Sequence, residues 1–122
     1  MKILTVDDSR MIRTLVKRVI DSLGYESLEA ENPKEALFVL MRESENVGLI
    51  LLDWNMPEMS GIEFLEIIKK DEKYKHIPVI MLTSQATKDK IMQAINAGAA
   101  NYVVKPFEQN DLKTRIINSI KI

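Results

Sequence analysis

The chain has 122 residues, 46% of them hydrophobic and 29% charged, which is typical of one globular domain with a buried core and a polar surface. Its 17 basic and 18 acidic residues give a formal net charge of −1, and this balance argues against nucleic acid or an anionic membrane as a partner. No cysteine is present, so disulfides, thiolate metal sites and cysteine nucleophiles are excluded.

The sequence predicts a single domain. The apolar run within the first ten residues, MKILTVDDSR, is far too short for a secretion signal, and no stretch approaches the length of a membrane span. We therefore expect a cytoplasmic protein. No linker, repeat or low-complexity segment interrupts residues 1–122, so we expect one domain without an output domain. No exposed heptad pattern argues for a dimer, and a monomer is expected.

The first third of the chain predicts a strand, a helix and a second strand. Lys2–Val6 is a short apolar, β-branched run. Gly24 is a typical residue just after a helix end, and a helix before it is predicted because apolar residues recur at the spacing of one face. That face comprises Met11, Ile12, Leu15, Val16, Val19, Ile20 and Leu23. Glu26–Ala30 predicts the second strand, with the weakest signal of the set.

The middle of the chain repeats this alternation. Asn32 and Pro33 fit the N-cap and first position of a second helix, whose apolar residues are Ala36, Leu37, Leu40 and Met41. Residues 48–52 are apolar on both faces of a strand, which predicts a central position in a parallel sheet. Ser60 and Glu63 have the spacing of a capping box and predict the start of a third helix.

The last third predicts two more strands and two more helices. Residues 78–82 (PVIML) begin with a proline, which a strand tolerates at its first position. A short fourth helix is predicted to end near Gly98, Asn101–Val104 reads as the fifth strand, and a fifth helix follows it. The apolar residues of these two helices are Ile91, Ala94 and Ile95, then Leu112, Ile116, Ile117 and Ile120. Five strands alternating with five helices predict an α/β fold, a doubly wound three-layer (βα)5 sandwich around a parallel sheet.

Polar residues follow four of the five predicted strands at the point where each strand ends. They are Asp7 and Asp8 after strand one, Asp53 after strand three, Thr83 and Ser84 after strand four, and Lys105 after strand five. In an open parallel sheet the ligand crevice lies outside the carboxyl ends of the strands. If strands one and three are neighbours, three carboxylates, a hydroxyl and an ammonium group converge there.

Such a cluster predicts a metal-assisted reaction with phosphate. Three close carboxylates repel one another, and a hard divalent cation such as Mg²⁺ relieves that repulsion. Lys105 supplies a positive charge for one phosphoryl oxygen, and the Thr83 hydroxyl can donate to another. One carboxylate remains as an in-line nucleophile, and Asp53 is the predicted phosphoacceptor.

Each residue also has a local interpretation. The aspartates at positions 7 and 8 could cap the first helix, Asp53 could begin an Asx-turn, and Thr83 with Ser84 could cap the fourth helix. Lys105 alone could be a solvated charge. Four unrelated local roles at the ends of four strands that share one crevice are a weaker explanation than one site.

Four motifs occur in the order and approximate spacing of one protein family: VDDS at residues 6–9, DWNMPEMSG at 53–61, LTS at 82–84 and VKPF at 104–107. On the basis of these four motifs, the chain resembles over its whole length the response-regulator receiver domains of two-component systems. The sequence DWNMP in a chain without an appended domain resembles in particular the single-domain chemotaxis members. The resemblance, and not the residue pattern, implies a flavodoxin-like strand order of 2-1-3-4-5.

The resemblance implies a role for each residue of the cluster. Asp53 would accept a phosphoryl group from a phosphohistidine. Asp8, Asp53 and the backbone carbonyl of Asn55 would bind Mg²⁺ directly, and Asp7 would act mainly through a water molecule on the metal. Lys105 would pair with the phosphoryl group.

The resemblance also implies a conformational switch. Thr83 would close on the phosphoryl oxygen and Tyr102 would turn inward behind it, which would change the surface formed by the fourth helix, the fifth strand and the fifth helix. The peptide bond to Pro106 is typically cis in this family. Gln85 occupies a position that the family uses to tune dephosphorylation.

The partners implied are a CheA-like histidine kinase, a phosphatase and, as the output target, the flagellar motor switch protein. Two alternatives share every residue of the site: a relay intermediate that passes its phosphoryl group to another histidine, and a phosphate sink without a target. An aspartyl-phosphate hydrolase is disfavoured because such enzymes carry a second aspartate where this chain has Asn55. We therefore expect a phosphoacceptor that assists its own phosphorylation and dephosphorylation, and not an enzyme. Flavin binding lacks a hydroxyl-rich loop after the first strand.

Overall fold

Strands and helices alternate along the chain in a computed structural model that describes residues 1–84 and 87–120. The strands are β1 (Lys2–Val6), β2 (Glu26–Ala30), β3 (Val47–Asp53), β4 (Val79–Thr83) and β5 (Asn101–Val104). The helices are α1 (Arg10–Ser22), α2 (Pro33–Glu43), α3 (Gly61–Lys70), α4 (Lys88–Asn96) and α5 (Gln109–Ser119). Every predicted element is present. None of the helices among the described residues is long and apolar enough to span a membrane.

The strands form one parallel sheet in the order β2-β1-β3-β4-β5. This confirms both the predicted α/β class and the strand order that the resemblance implies. β3 lies in the middle, with Leu52 opposite Val6 of β1 and Met81 of β4. Because all five strands run in the same direction, their carboxyl ends meet at one edge of the sheet.

The two faces of the sheet bury separate apolar clusters. Residues such as Ile3 and Leu51 face α1 and α5, whereas Leu4 and Leu52 face the side covered by α2, α3 and α4. The central strand β3 is apolar on both faces, and its residues Leu49 to Leu52 have no exposed surface. Burial on both sides accounts for the unbroken apolar run in the sequence.

The helix starts follow the predicted capping chemistry with two exceptions. Asn32 and Ser60 accept hydrogen bonds from Glu35 and Glu63 backbone N–H groups at 2.8 and 3.3 Å, as expected of N-caps. For α1 the cap is Ser9, not one of the preceding aspartates. For α4 the cap is Thr87, so the interpretation of residues 83 and 84 as a cap is wrong.

The apolar faces predicted for the helices are wider than the buried ones. Each helix buries a stripe against the sheet, and apolar residues that flank this stripe stay in solvent. Four residues that the periodicity placed inward are exposed: Met11, Met41, Ile95 and Ile117. The third strand is longer than predicted, because Asp53 still pairs with Leu82 of β4.

Candidate functional site

Three carboxylates gather at the carboxyl end of the sheet. Asp7 follows β1, Asp53 ends β3, and one oxygen from each of Asp7, Asp8 and Asp53 lies within 4.8 Å of the other two. Asp7 has no exposed surface and Asp53 retains 5%, whereas Asp8 is exposed. The adjacency of β1 and β3 produces this juxtaposition, and the cluster suits a hard divalent cation that is open to solvent on the Asp8 side.

Lys105 bridges the two buried carboxylates. Its Nζ donates to Asp7 Oδ2 at 2.8 Å and to Asp53 Oδ1 at 3.0 Å. Its backbone N–H donates to the Thr83 carbonyl at 2.7 Å, and the peptide bond between Lys105 and Pro106 is cis. The ammonium group is therefore held inside the site, and the interpretation of Lys105 as an ordinary solvated charge is wrong.

Burial dominates the electrostatics of the site. Loss of solvent raises the pKa of Asp53 above its usual value, and the negative charge of Asp7 raises it further. Hydrogen bonds from Lys105 and from the backbone N–H of Asn55 oppose that rise. For Lys105, burial alone lowers the pKa, but the hydrogen bonds and charges of the two carboxylates together raise it. The site thus carries like charges close together, and a single cation balances them in part.

Asp7 is also fixed by the N-cap and the first turn of α1. The Ser9 backbone N–H donates to Asp7 Oδ1 at 2.9 Å, and Arg13 Nη1 donates to the Asp7 carbonyl at 2.6 Å. Arg13 Nε in turn lies 3.0 Å from Glu29 Oε1 on β2. The Ser9 bond orients the Asp7 carboxylate and the Arg13 bond fixes the Asp7 backbone, so Arg13 is a supporting residue that the sequence pattern did not reveal.

The loop from β3 to α3 returns close to its own start. The Gly61 N–H donates to the Trp54 carbonyl at 2.7 Å, and a Cβ on Gly61 would lie 2.1 Å from the carbonyl oxygen of Asp53. Within the loop, Glu58 has a positive φ of 72° and the Met59 N–H donates to the Pro57 carbonyl, which is a γ-turn. Because a Cβ at position 61 would approach the Asp53 carbonyl so closely, a glycine is required at the start of α3.

Trp54, the sole tryptophan, is buried directly after Asp53. Its backbone N–H donates to the Leu82 carbonyl at 3.0 Å, which continues the pairing of β3 with β4. The ammonium group of Lys90, in the first turn of α4, lies 5.1 Å from the centre of an indole ring. The indole thus connects the site to α4.

The remaining predicted residues lie around this centre. Thr83 is buried at the end of β4, next to Lys105 through the backbone bond described above. Asn55 is exposed in the β3–α3 loop, with its backbone N–H on the Asp53 carboxylate. Tyr102 is half-buried on β5 and packs against the apolar cluster that lies between the sheet and helices α2, α3 and α4. Gln85 lies outside the described residues.

Comparison with known proteins shows the family of this chain. The family model "Response regulator receiver domain" matches residues 3–117. A Campylobacter jejuni protein named "Chemotaxis protein CheY homolog" is 40% identical over 95% of this chain and 89% of its own length. The Pseudomonas aeruginosa "Chemotaxis protein CheY" is 43% identical over 95% of this chain and 93% of its own.

Solved structures give the same result. Chemotaxis response regulator CheY4 of Vibrio cholerae superimposes with a TM-score of 0.90 at 33% sequence identity, and the match covers 98% of both chains. The fold defines the class of flavodoxin-like α/β proteins, here with an acidic cluster at the carboxyl edge of the sheet. The chain belongs to the response regulator receiver domain family, and it is a CheY-like receiver domain of a two-component response regulator.

Proposed function

We propose that Asp53 is the phosphoacceptor of a chemotaxis response regulator that acts in the cytoplasm. An Asp53 carboxylate oxygen attacks the phosphorus of a phosphohistidine on the partner kinase, the new P–O bond forms as the P–N bond breaks, and the imidazole leaves with the electron pair and takes up a proton. The observation that carries this proposal is the bridge from Lys105 to Asp53 inside a cluster of three carboxylates.

Different residues of the site would bind the metal ion and the phosphoryl group. Asp8, Asp53 and the Asn55 carbonyl would hold Mg²⁺ together with Asp7, and three carboxylates within 4.8 Å suit this ion. Mg²⁺, when bound, offsets the negative charge of the carboxylates and of the incoming phosphoryl oxygens. Lys105 Nζ lies 3.0 Å from Asp53 Oδ1, so it can pair with a phosphoryl oxygen once Asp53 is phosphorylated.

The phosphoryl group then favours a second arrangement of the neighbouring residues. Its acceptor oxygens attract the Thr83 hydroxyl, and movement of Thr83 leaves space toward β5 for Tyr102. A changed surface of α4, β5 and α5 would be read by a target, for which the flagellar motor switch protein is our candidate. The relatives named as chemotaxis proteins support this direction.

The experiment that tests the proposal is phosphorylation by acetyl phosphate with and without Mg²⁺, followed by intact mass and by the fluorescence of Trp54. We expect one added phosphoryl group, labile in acid and base, together with a reversible fluorescence change. Asp53→Asn should abolish both. Asp21→Asn, which removes an exposed carboxylate of α1 paired with Lys17, is the matched control and should behave as the wild type.

Retained phosphorylation of the Asp53→Asn variant at the wild-type level would contradict the assignment. A wild-type protein that is folded but shows neither incorporation nor a fluorescence response would reduce the chain to a receiver fold without a working site.

A further inference from the structure

One arginine connects the two faces of the sheet around its open edge. Arg115 lies on α5, whose buried residues Leu112 and Ile116 belong to the cluster under α1 and α5. The Tyr102 ring belongs to the opposite cluster, under α2 to α4. The Arg115 guanidinium nevertheless lies 5.3 Å from the centre of that ring. The side chain therefore passes around β5, which has a neighbouring strand on one side only.

The same guanidinium completes the hydrogen bonding of the edge. The Tyr102 N–H donates to Asn101 Oδ1 at 2.9 Å, and Arg115 Nη1 donates to the Tyr102 carbonyl at 2.8 Å. Arg115 Nη1 also donates to Asn101 Oδ1 at 2.9 Å. The peptide groups of an edge strand that point away from the sheet need such partners. Tyr102 is thus fixed through its backbone and its ring by one cation.

The guanidinium is itself held in place. Arg115 Nε lies 3.5 Å from Asp111 Oδ1, one turn earlier on α5, and the side chain of Arg115 is 32% exposed. A planar guanidinium can donate at its edge and stack its face on an aromatic ring at the same time, which a lysine ammonium cannot do. Arg115 makes both kinds of contact, because it donates to oxygens of β5 and lies over the Tyr102 ring.

We propose that Arg115 is a positioning residue that holds the Tyr102 ring in its present half-buried place and so opposes the ring's movement toward Thr83. The hold on the ring stands on the contacts above, and its effect on signalling rests on the proposed function. The free energy of the Arg115 contacts must be overcome when the site is phosphorylated, because a population shift requires a difference in free energy between the two states. Arg115 would then set the fraction of molecules in which Tyr102 has moved toward Thr83 in the absence of a phosphoryl group.

The test uses ¹⁹F NMR of the protein labelled with 3-fluorotyrosine. The chain has three tyrosines, and the resonance absent from Tyr102→Phe is that of Tyr102. Arg115→Met keeps an extended apolar stem and removes every donor. In this variant, the population of molecules with the Tyr102 ring turned toward Thr83 should rise about three- to tenfold relative to the other population, without any phosphodonor. Arg115→Lys, which keeps the charge but not the planar fork, should shift less.

Two further variants separate positioning from a general loss of structure. Lys113→Met removes a cation from the same helix, two residues away, and should leave the Tyr102 resonance unchanged. Asn101→Ala removes one acceptor of the guanidinium but keeps the arginine, and should give an intermediate shift even if Arg115→Met fails to fold. A Tyr102 resonance that stays at the wild-type position in folded Arg115→Met and in Asn101→Ala would overturn the proposal.

A second arm adds Mg²⁺ and acetyl phosphate to the wild type and to Arg115→Met. We expect the Tyr102 resonance to reach its phosphorylated position at a lower concentration of acetyl phosphate in the variant. Equal midpoints would overturn the effect on signalling. No incorporation into the wild type would overturn the proposed function instead, and the hold of Arg115 on the ring would still be decided by the first arm.

Discussion

Two regions of this molecule use a cation in contrasting ways. In the acidic centre, formed by Asp7, Asp8, Asp53 and Lys105, the ammonium group joins two buried carboxylates between paired strands. At the β5 edge, formed by Asn101, Tyr102 and Arg115, a partly exposed guanidinium donates to two neutral oxygens and lies over a ring, and its one carboxylate partner, Asp111, is 3.5 Å away and exposed. Burial makes the first cation hard to replace, whereas exposure makes the second one easy to release.

Under the proposed function, this difference suits a division between phosphorylation in the acidic centre and signal output at the β5 edge. Under the proposed function, residues of the acidic centre keep their geometry when a ligand binds, and pairing of β3 with both of its neighbours restrains Asp53. Residues of the β5 edge have one neighbouring strand, so a change in a few contacts is enough to move them. We therefore expect substitutions in the centre to have large effects on stability and substitutions at the edge to have small ones.

The largest effect is expected for Gly61→Ala. The new Cβ would lie 2.1 Å from the Asp53 carbonyl oxygen and 3.0 Å from Trp54 Cα, and backbone atoms in a sheet cannot easily move away. The free energy of unfolding should fall by about 3 kcal/mol. Urea unfolding measures it, with Gly24→Ala as the control. Gly24 has a positive φ of 84° but no atom within 4 Å of the new Cβ, so its cost should be about 1 kcal/mol. Equal costs would show that the close approach beside Asp53 is not restrictive.

Lys105→Met should follow. The change leaves two buried carboxylates without their cation, and loss of one partner from a buried pair costs about 3 to 5 kcal/mol. Because the Lys105 side chain is 17% exposed, we expect a loss below this range, and smaller than that of Gly61→Ala, in metal-free buffer. Added Mg²⁺ should restore much of the loss. Lys2→Met is the matched control, since Lys2 also bridges two carboxylates, those of Glu26 and Glu43, at the opposite end of the sheet. A cost no larger than that of Lys2→Met would break the contrast between centre and surface.

The charge of Asp53 should appear as a pH dependence of stability. Its pKa in the folded protein is raised above the ordinary 3.8, so the folded state holds this proton more tightly than the unfolded chain. This contribution to stability is present below the ordinary pKa and is lost as the pH rises through the raised value. The stability of the wild type relative to Asp53→Asn should therefore fall as the pH rises from about 4 toward neutral. Urea unfolding in EDTA at several pH values checks the sign, and a rising difference would mean that Lys105 dominates over burial.

At the edge, Arg115→Met should reduce the free energy of unfolding by only about 1 kcal/mol, because its hydrogen bonds are partly exposed. Thermal unfolding beside Lys105→Met makes the comparison directly, since both variants replace a cation by methionine. A loss at Arg115 as large as that at Lys105 would mean that the β5 edge is as constrained as the acidic centre.

The smallest effect is expected for the contact that joins the centre to α4. A double-mutant cycle with Lys90→Gln and Trp54→Leu should give a coupling free energy of about 0.5 to 1 kcal/mol, as is usual for a partly exposed cation over an aromatic ring. A coupling of zero would leave the indole without a connection to α4, and Trp54 fluorescence would then report on the site alone.

Much of this protein followed from local sequence features. Apolar patterns predicted the five strands and four of the five helices, and the capping box of Ser60 and Glu63 predicted α3. Asn32 and Gly24 marked the start of α2 and the end of α1. The carboxylates after β1 and β3 were predicted to meet if these strands are neighbours, because parallel strands bring their carboxyl ends to one edge, and the adjacency itself came from the family resemblance. The roles of Asp53, Asn55 and Gln85 in phosphorylation stay predictions.

Only the tertiary structure decided which side chains touch across long separations. The strand order placed Lys105 on Asp7 and Asp53, which lie 98 and 52 residues earlier in the chain. The return of the β3–α3 loop made Gly61 indispensable, and the path of Arg115 around β5 brought it onto Tyr102. The rotation of each helix on the sheet left Met11 and Ile117 in solvent although both fit the apolar pattern. Periodicity and caps depend on neighbours within a few residues, whereas these contacts depend on how distant elements pack, and a local pattern carries no measure of that.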